Sequence, residues 1–103
     1  MTPEQHLYAK LAEEATEVAH IALKVVQFGP HDVYGGETNL QRLHTELHDL
    51  WAMVDELNAR FQFHYSVDVM AMARKQAKVR HFADYSVKLG YLREAPLDVD
   101  THL

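Results

Sequence analysis

The sequence contains no cysteine, which excludes disulfides, thiolate metal sites and a cysteine nucleophile. It has no apolar run approaching the ~20 residues that span a bilayer, and its first residues lack the basic-then-apolar pattern of an export signal. There is no Gly-x-x-x-x-Gly-Lys segment, so a P-loop nucleotide site is unsupported, and Gly35-Gly36 reads as a turn rather than a phosphate cradle. Positive charge is scarce: 10 Lys and Arg stand against 15 Asp and Glu, a formal net charge of −5. Non-specific nucleic-acid binding relies on a basic surface, so nucleic acid is not an expected partner. Repeats, low-complexity tracts and interdomain linkers are missing too. What remains, in 103 residues, is one small domain expected to be soluble and cytoplasmic, with no membrane partner. A chain of this size buries little core by itself, so self-association is expected.

Two helices announce themselves by caps and seams. Thr2-Pro3-Glu4-Gln5 combines a capping box with proline at the first helical position, and the helix runs to about Gln27 before Phe28-Gly29-Pro30 ends it. Residues 29–38 form a turn-rich loop. Thr38-Asn39-Leu40-Gln41 repeats the capping box and starts a second helix reaching about Arg60. Phe61 to Tyr65 is a connector or a short extended piece. A third helix is expected from Ser66, with Asp68 in its first turn, to Leu89, bending near Ala83 and stopping at Gly90. Positions 7, 11, 14, 18, 21, 25 and 28 of the first helix step by four and three, as do 40, 43, 47, 50, 54, 57 and 61 of the second. That spacing is what helices packed side by side require, and it predicts an all-α bundle of about three to four helices. The domain is expected over residues 1–90, with residues 91–103 as a C-terminal tail.

One seam position is wrong for a core. Glu14 interrupts an otherwise apolar stripe, and burying an unpaired carboxylate costs several kcal/mol, so it must meet a cation, a metal or a proton. Glu17 lies three residues on, about 60° round the same helix. Two such carboxylates repel, so something positive belongs between them. Glu46 and Asp49 repeat the spacing on the second helix. In an antiparallel hairpin both pairs fall near mid-helix and can face each other. Four carboxylates in a partly dry groove suit hard divalent cations, Mg²⁺ above all, because Mg²⁺ keeps several waters and binds through carboxylates plus substrate phosphates. The plainer alternative is a set of salt-bridged surface carboxylates.

Glu14-x-x-Glu17, then 28 residues, then Glu46-x-x-Asp49 resembles the signature of the MazG-like superfamily of all-α nucleoside triphosphate pyrophosphohydrolases. Leu11-Ala-Glu-Glu-Ala-Thr-Glu-Val18, Lys24, Phe28-Gly29-Pro30, Asn39-Leu40 and Leu43 through Leu50 are similar to its short single-domain members. Arg74-Lys75-Gln-Ala-Lys78-Val79-Arg80 resembles their downstream basic segment. The resemblance covers roughly residues 7–88. It implies a Mg²⁺-dependent enzyme, with Mn²⁺ as a substitute, that cleaves a nucleoside triphosphate between the α and β phosphates to a monophosphate and pyrophosphate. It further implies that Glu14, Glu17, Glu46 and Asp49 are the catalytic, metal-binding carboxylates, with Glu14 a candidate to orient or deprotonate the attacking water. A homodimer or homotetramer, with sites completed by neighbouring subunits, is implied as well. A phosphoribosyl-ATP pyrophosphohydrolase, or a non-catalytic helical interaction module of the same fold, are the alternatives.

Phosphate-ester chemistry at neutral pH needs charge neutralisation and an oriented water, which agrees with that implication. Lys75 and Lys78 are candidates for the distal phosphates, with Arg74 or Arg80 contributing. Lys24, two turns beyond Glu17 on the same face, contacts phosphate, balances the acidic groove or is a plain surface lysine. Asn39 bonds nucleotide or merely caps its helix. Glu17-Val-Ala-His20 is a di-iron ligand pattern, but such sites need the motif twice. His44 and His48 form a potential transition-metal pair. Trp51 and Tyr34 are candidates to stack on a base, with core packing the alternative for Trp51.

Overall fold

The computed structural model describes residues 1–94. In chain order it holds α1 (Pro3–Phe28), a hairpin of β1 (Val33–Tyr34) and β2 (Glu37–Thr38), α2 (Asn39–Phe61) and α3 (Val69–Lys88). The chain is mostly helical, as its periodicity predicts; the small antiparallel hairpin inside the 29–38 loop is an addition. Contacts divide the chain into two compact units, one ending at Tyr65 and the other beginning at Ser66. No helix among the described residues is long and apolar enough to cross a membrane.

In the first unit both helices start on the same device. Thr2 Oγ1 accepts from the Gln5 amide at 3.1 Å while Gln5 Oε1 accepts from the Thr2 amide at 2.8 Å. Thr38 and Gln41 repeat the arrangement ahead of α2. Each box satisfies donors that a helix start otherwise leaves open, worth about 1 kcal/mol apiece. α1 stops because Gly29 adopts φ 90°, ψ 158°, a conformation essentially reserved for glycine. Val33 pairs with Thr38 and Tyr34 with Glu37. Gly35 and Gly36, at φ 63° and 84°, supply the two positive angles that a tight hairpin turn demands. The Asn39 and Leu40 amides then donate to the Asp32 and Pro30 carbonyls, both at 3.1 Å, tying the loop to the first turn of α2.

α1 packs on α2 in antiparallel fashion. Near one end the Tyr8 ring meets Phe63 edge-on at 6.1 Å, and at the other Lys24 and Phe28 share a recess with Asn39 and Arg42. Leu7, Ile21, Val54 and Leu57 are the buried apolar core, Leu57 at 0% exposure. The expected α1 seam is covered except at Phe28. On α2 the seam departs from the expected register: Leu47 is 45% exposed, while Glu46 beside it is half-buried. A straight helix drifts about 20° per heptad from a strict 3.5-residue repeat, which moves position 46 inward at position 47's expense. A carboxylate therefore sits in the groove where a leucine was expected.

The stretch after α2 is a connector, not a strand. Gln62 and His64 take left-handed φ of 56° and 57°, at about 1–2 kcal/mol each. Asn58 offsets this by gripping Tyr65: its Nδ2 donates to the Tyr65 carbonyl and its Oδ1 accepts from the Tyr65 amide, both at 2.9 Å. Trp51 makes a T-shaped pair with the Tyr65 ring at 5.6 Å while remaining 47% exposed.

In the second unit α3 begins at Val69 rather than Ser66. Asp68 is the cap, its Oδ1 accepting from the Ala71 amide at 2.9 Å, and a side chain so committed fixes the first turn behind it. α3 runs without interruption through Ala83 to Lys88. Gly90 N donates to Val87 O and Tyr91 N to Ser86 O, both at 3.0 Å, the paired bonds that close a helix around a left-handed glycine. No residue of α3 is buried; Val79, Phe82 and Tyr85 are all exposed, as is Leu89 just beyond. Of the expected C-terminal tail, residues 91–94 are exposed and residues 95–103 lie outside the described residues.

Candidate metal centre

Three of the four expected carboxylates converge. Glu14 from α1 and Glu46 and Asp49 from α2 each place one carboxylate oxygen within 4.8 Å of the others. Antiparallel packing brings the middle of α1 against the first half of α2, and the three-residue step on α2 turns Glu46 and Asp49 to one flank. Glu14 and Glu46 are half-buried and Asp49 is exposed. Glu17 is exposed and falls outside this tight trio, although its charge still reaches Glu46.

The electrostatics show what the cluster lacks. The Glu46 carboxyl is pushed above its ordinary value, first by burial and then by the charges of Asp49, Glu17 and Glu14, while Arg42 pulls it back down. Among the described residues the ion pairs are Lys10–Glu13 at 3.3 Å and Arg60–Glu56 at 3.9 Å; none of the four carboxylates takes part. The plainer expectation, salt-bridged surface carboxylates, therefore does not describe them. Three oxygens of like charge facing one another form a donor set suited to a hard divalent cation that keeps water on its open side. Among the described residues no histidine joins the cluster. His20, His44 and His48 are exposed, and the grouping is one of oxygen ligands only.

The remaining site candidates fall in three places. Lys24 and Asn39 line a recess of about 280 Å³ with Phe28, Asp32, Tyr34 and Arg42. Asn39 is 2% exposed, and its amide is already occupied: Nδ2 donates to the Gly29 carbonyl at 2.9 Å and Oδ1 accepts from Arg42 Nη1 at 3.4 Å. Its side chain closes the loop, while the cap itself is Thr38. Arg74, Lys75, Lys78 and Arg80 are all exposed on α3. Arg74, Lys75 and Lys78 fall within about 100° of arc, whereas Arg80 projects on the opposite side of the helix. A larger recess of about 500 Å³ at the end of α3 is lined by Asp84, Lys88, Arg93 and Glu94 among others, and its mixed charges converge on no single ligand chemistry.

The residue that sequence reasoning passed over is Arg42. Its position was a sufficient signal: four residues before Glu46 it occupies the same helix face, one turn away. Comparison with known protein families, curated proteins and solved structures found no match to this chain.

Proposed function

We propose that the chain is a Mg²⁺-dependent nucleoside triphosphate pyrophosphohydrolase, cleaving between the α and β phosphates to yield a nucleoside monophosphate and pyrophosphate. The single observation that carries this reading is the convergence of Glu14, Glu46 and Asp49 oxygens within 4.8 Å, none of them in a salt bridge among the described residues. The resemblance of the Glu14-x-x-Glu17 and Glu46-x-x-Asp49 pair to MazG-like enzymes supports it.

In this reading Glu14, Glu46 and Asp49 hold the divalent cation, and Glu17 adds negative charge at the rim. When bound, the cation polarises phosphate oxygens and makes water more acidic. Glu14, fixed on α1 opposite Glu46, orients the attacking water and accepts its proton, a role worth about 10²–10⁴-fold in rate. Lys24, half-buried on α1, is the cation of this unit proposed to meet substrate phosphate; Arg74, Lys75 and Lys78 belong to α3 of the second unit. The exposed apolar side chains of α3, Val79, Phe82 and Tyr85, support a homo-oligomer, because a monomer gains nothing from displaying them at helical spacing.

The test incubates the purified protein with each standard and several modified (d)NTPs and Mg²⁺, separating products by chromatography. Monophosphate plus pyrophosphate is expected. Diphosphate plus phosphate contradicts the bond assignment, and no turnover of any substrate leaves a non-catalytic helical module as the better reading.

A further inference from the structure

The acidic cluster has a counterpart of opposite sign one helical turn away. Arg42 and Lys24 line the same recess of about 280 Å³, both half-buried. Among the described residues neither makes an ion pair. Asp32, exposed at the rim of the same recess, does not come within salt-bridge distance of either. Two like charges sharing a partly dry space destabilise each other until an anion joins them.

Arg42 is held ready rather than left to wander. Its guanidinium stacks on the Tyr34 ring at 5.2 Å, and Asn39 Oδ1 accepts from its Nη1. Asn39 in turn is anchored to the Gly29 carbonyl. A planar, pre-oriented guanidinium recognises phosphoryl oxygens two at a time. The recess has room for about nine waters at ~30 Å³ each, which lies just below the ~300–1,000 Å³ of pockets that enclose whole small molecules. It fits one end of a nucleotide.

We propose that this recess seats the β and γ phosphates of the substrate, with Arg42 and Lys24 binding the pyrophosphate that departs. The inference rests on the hydrolase reading above and adds the direction in which the triphosphate lies: its α phosphate against Glu14, Glu46 and Asp49, and its tail toward the hairpin. In the reaction a water oxygen bonds to the α phosphorus and the bond to the bridging β oxygen breaks. The electron pair stays on that oxygen, the water's proton goes to Glu14, and the charge gained by the pyrophosphate is met by the two cations.

The experiment titrates inorganic pyrophosphate into the full chain in saturating Mg²⁺ by calorimetry, with ¹⁵N and aromatic NMR reporting position. The wild type is expected to bind, with shifts at the Arg42 guanidinium and the Tyr34 ring. Arg42→Gln and Lys24→Gln should each weaken pyrophosphate binding about 10-fold or more, while Mg²⁺ affinity measured alone is not weakened and rises in Arg42→Gln, which loses a cation acting on Glu46. Arg42→Lys should restore part of the loss, which a purely structural defect would not allow. Any of these results overturns the proposal: no binding to the wild type, binding unaffected by either glutamine variant, or loss of binding only in the Lys75→Gln/Lys78→Gln double variant. A phosphate-free nucleoside that shifts the same resonances as strongly as pyrophosphate overturns it as well. Pyrophosphate seated at Arg42 in a chain that hydrolyses no triphosphate keeps the recess and refutes the hydrolase reading. Hydrolysis with an unchanged KM in Arg42→Gln does the reverse.

Discussion

Replacing Glu46 by glutamine is expected to stabilise the metal-free protein and to abolish its response to Mg²⁺. In the wild type the Glu46 carboxylate lies within 4.8 Å of Glu14 and Asp49 oxygens. At that separation each repulsion is about 0.9 kcal/mol in a water-like medium and about 3.5 kcal/mol at an effective dielectric of 20. Asp49 is exposed and the others half-buried, so screening favours the lower figure. Two repulsions, less the attraction of Arg42, leave about 1 kcal/mol to be relieved, or roughly 4–8 °C in Tm for a domain of this size. In EDTA the variant should therefore melt above the wild type. In Mg²⁺ the order should reverse, because a ligand at 100 times its Kd adds about 2.7 kcal/mol to the chain that binds it. Thermal melts followed by circular dichroism at pH 7, with and without Mg²⁺, measure both. A variant that melts below the wild type in EDTA, or gains as much from Mg²⁺, would refute the argument that like charges face one another unpaired. The pH dependence follows in sign. Glu46 has its folded value raised above the ordinary 4.5, so the favourable contribution of its protonated form is complete below 4.5 and lost as pH rises through the raised value. The advantage of the glutamine variant in EDTA should shrink as pH falls across that window.

Mg²⁺ affinity of the wild type should fall over the same interval, since the ion must displace the Glu46 proton; calorimetric titrations between pH 7 and 4.5 follow it, and a flat profile counts against Glu46 as a ligand. Leu57→Ala should cost about 2–5 kcal/mol by the cavity it leaves at a fully buried site, read by urea denaturation, with Leu47→Ala costing far less. Asn39→Ala should cost about 1–3 kcal/mol by orphaning the Gly29 carbonyl, and should weaken pyrophosphate binding along with it by releasing Arg42. Phe82→Glu should lower the apparent mass in sedimentation without reducing the helical signal; an unchanged mass removes α3 as the contact between copies.

The helices could be read in advance because their signals are local. Thr2 with Gln5 and Thr38 with Gln41 announce the starts of α1 and α2, and Phe28-Gly29-Pro30 announces an end. Glu14 betrayed its place in the acidic cluster by breaking an apolar stripe, and Glu46 and Asp49 followed from the same spacing on α2. Other features depend on geometry that periodicity does not carry. Leu47 and Glu46 differ by one position, and only the accumulated drift of a real helix decides which faces inward. Asp68 rather than Ser66 caps α3 because both residue types cap well, and the choice rests on the backbone angle adopted at Asp68. The hairpin at Val33–Thr38 is two residues per strand, too short for any alternation to register. The recess around Arg42 is assembled from α1, the hairpin and α2 together, so no single segment spells it out.

The exposure of Asp49 also bears on how the ion would be stored. With one wall of the cluster open to solvent, a bound cation keeps waters on that side and exchanges with the medium without any opening of the fold. The buried core of Leu7, Ile21, Val54 and Leu57 contains no ligand and stands without it. Under the proposed function, the ion would travel with the nucleotide rather than be a fixture of the protein. A preparation stripped by chelation should stay folded and recover its full complement within the mixing time, with occupancy tracking free Mg²⁺ in the surroundings at each moment.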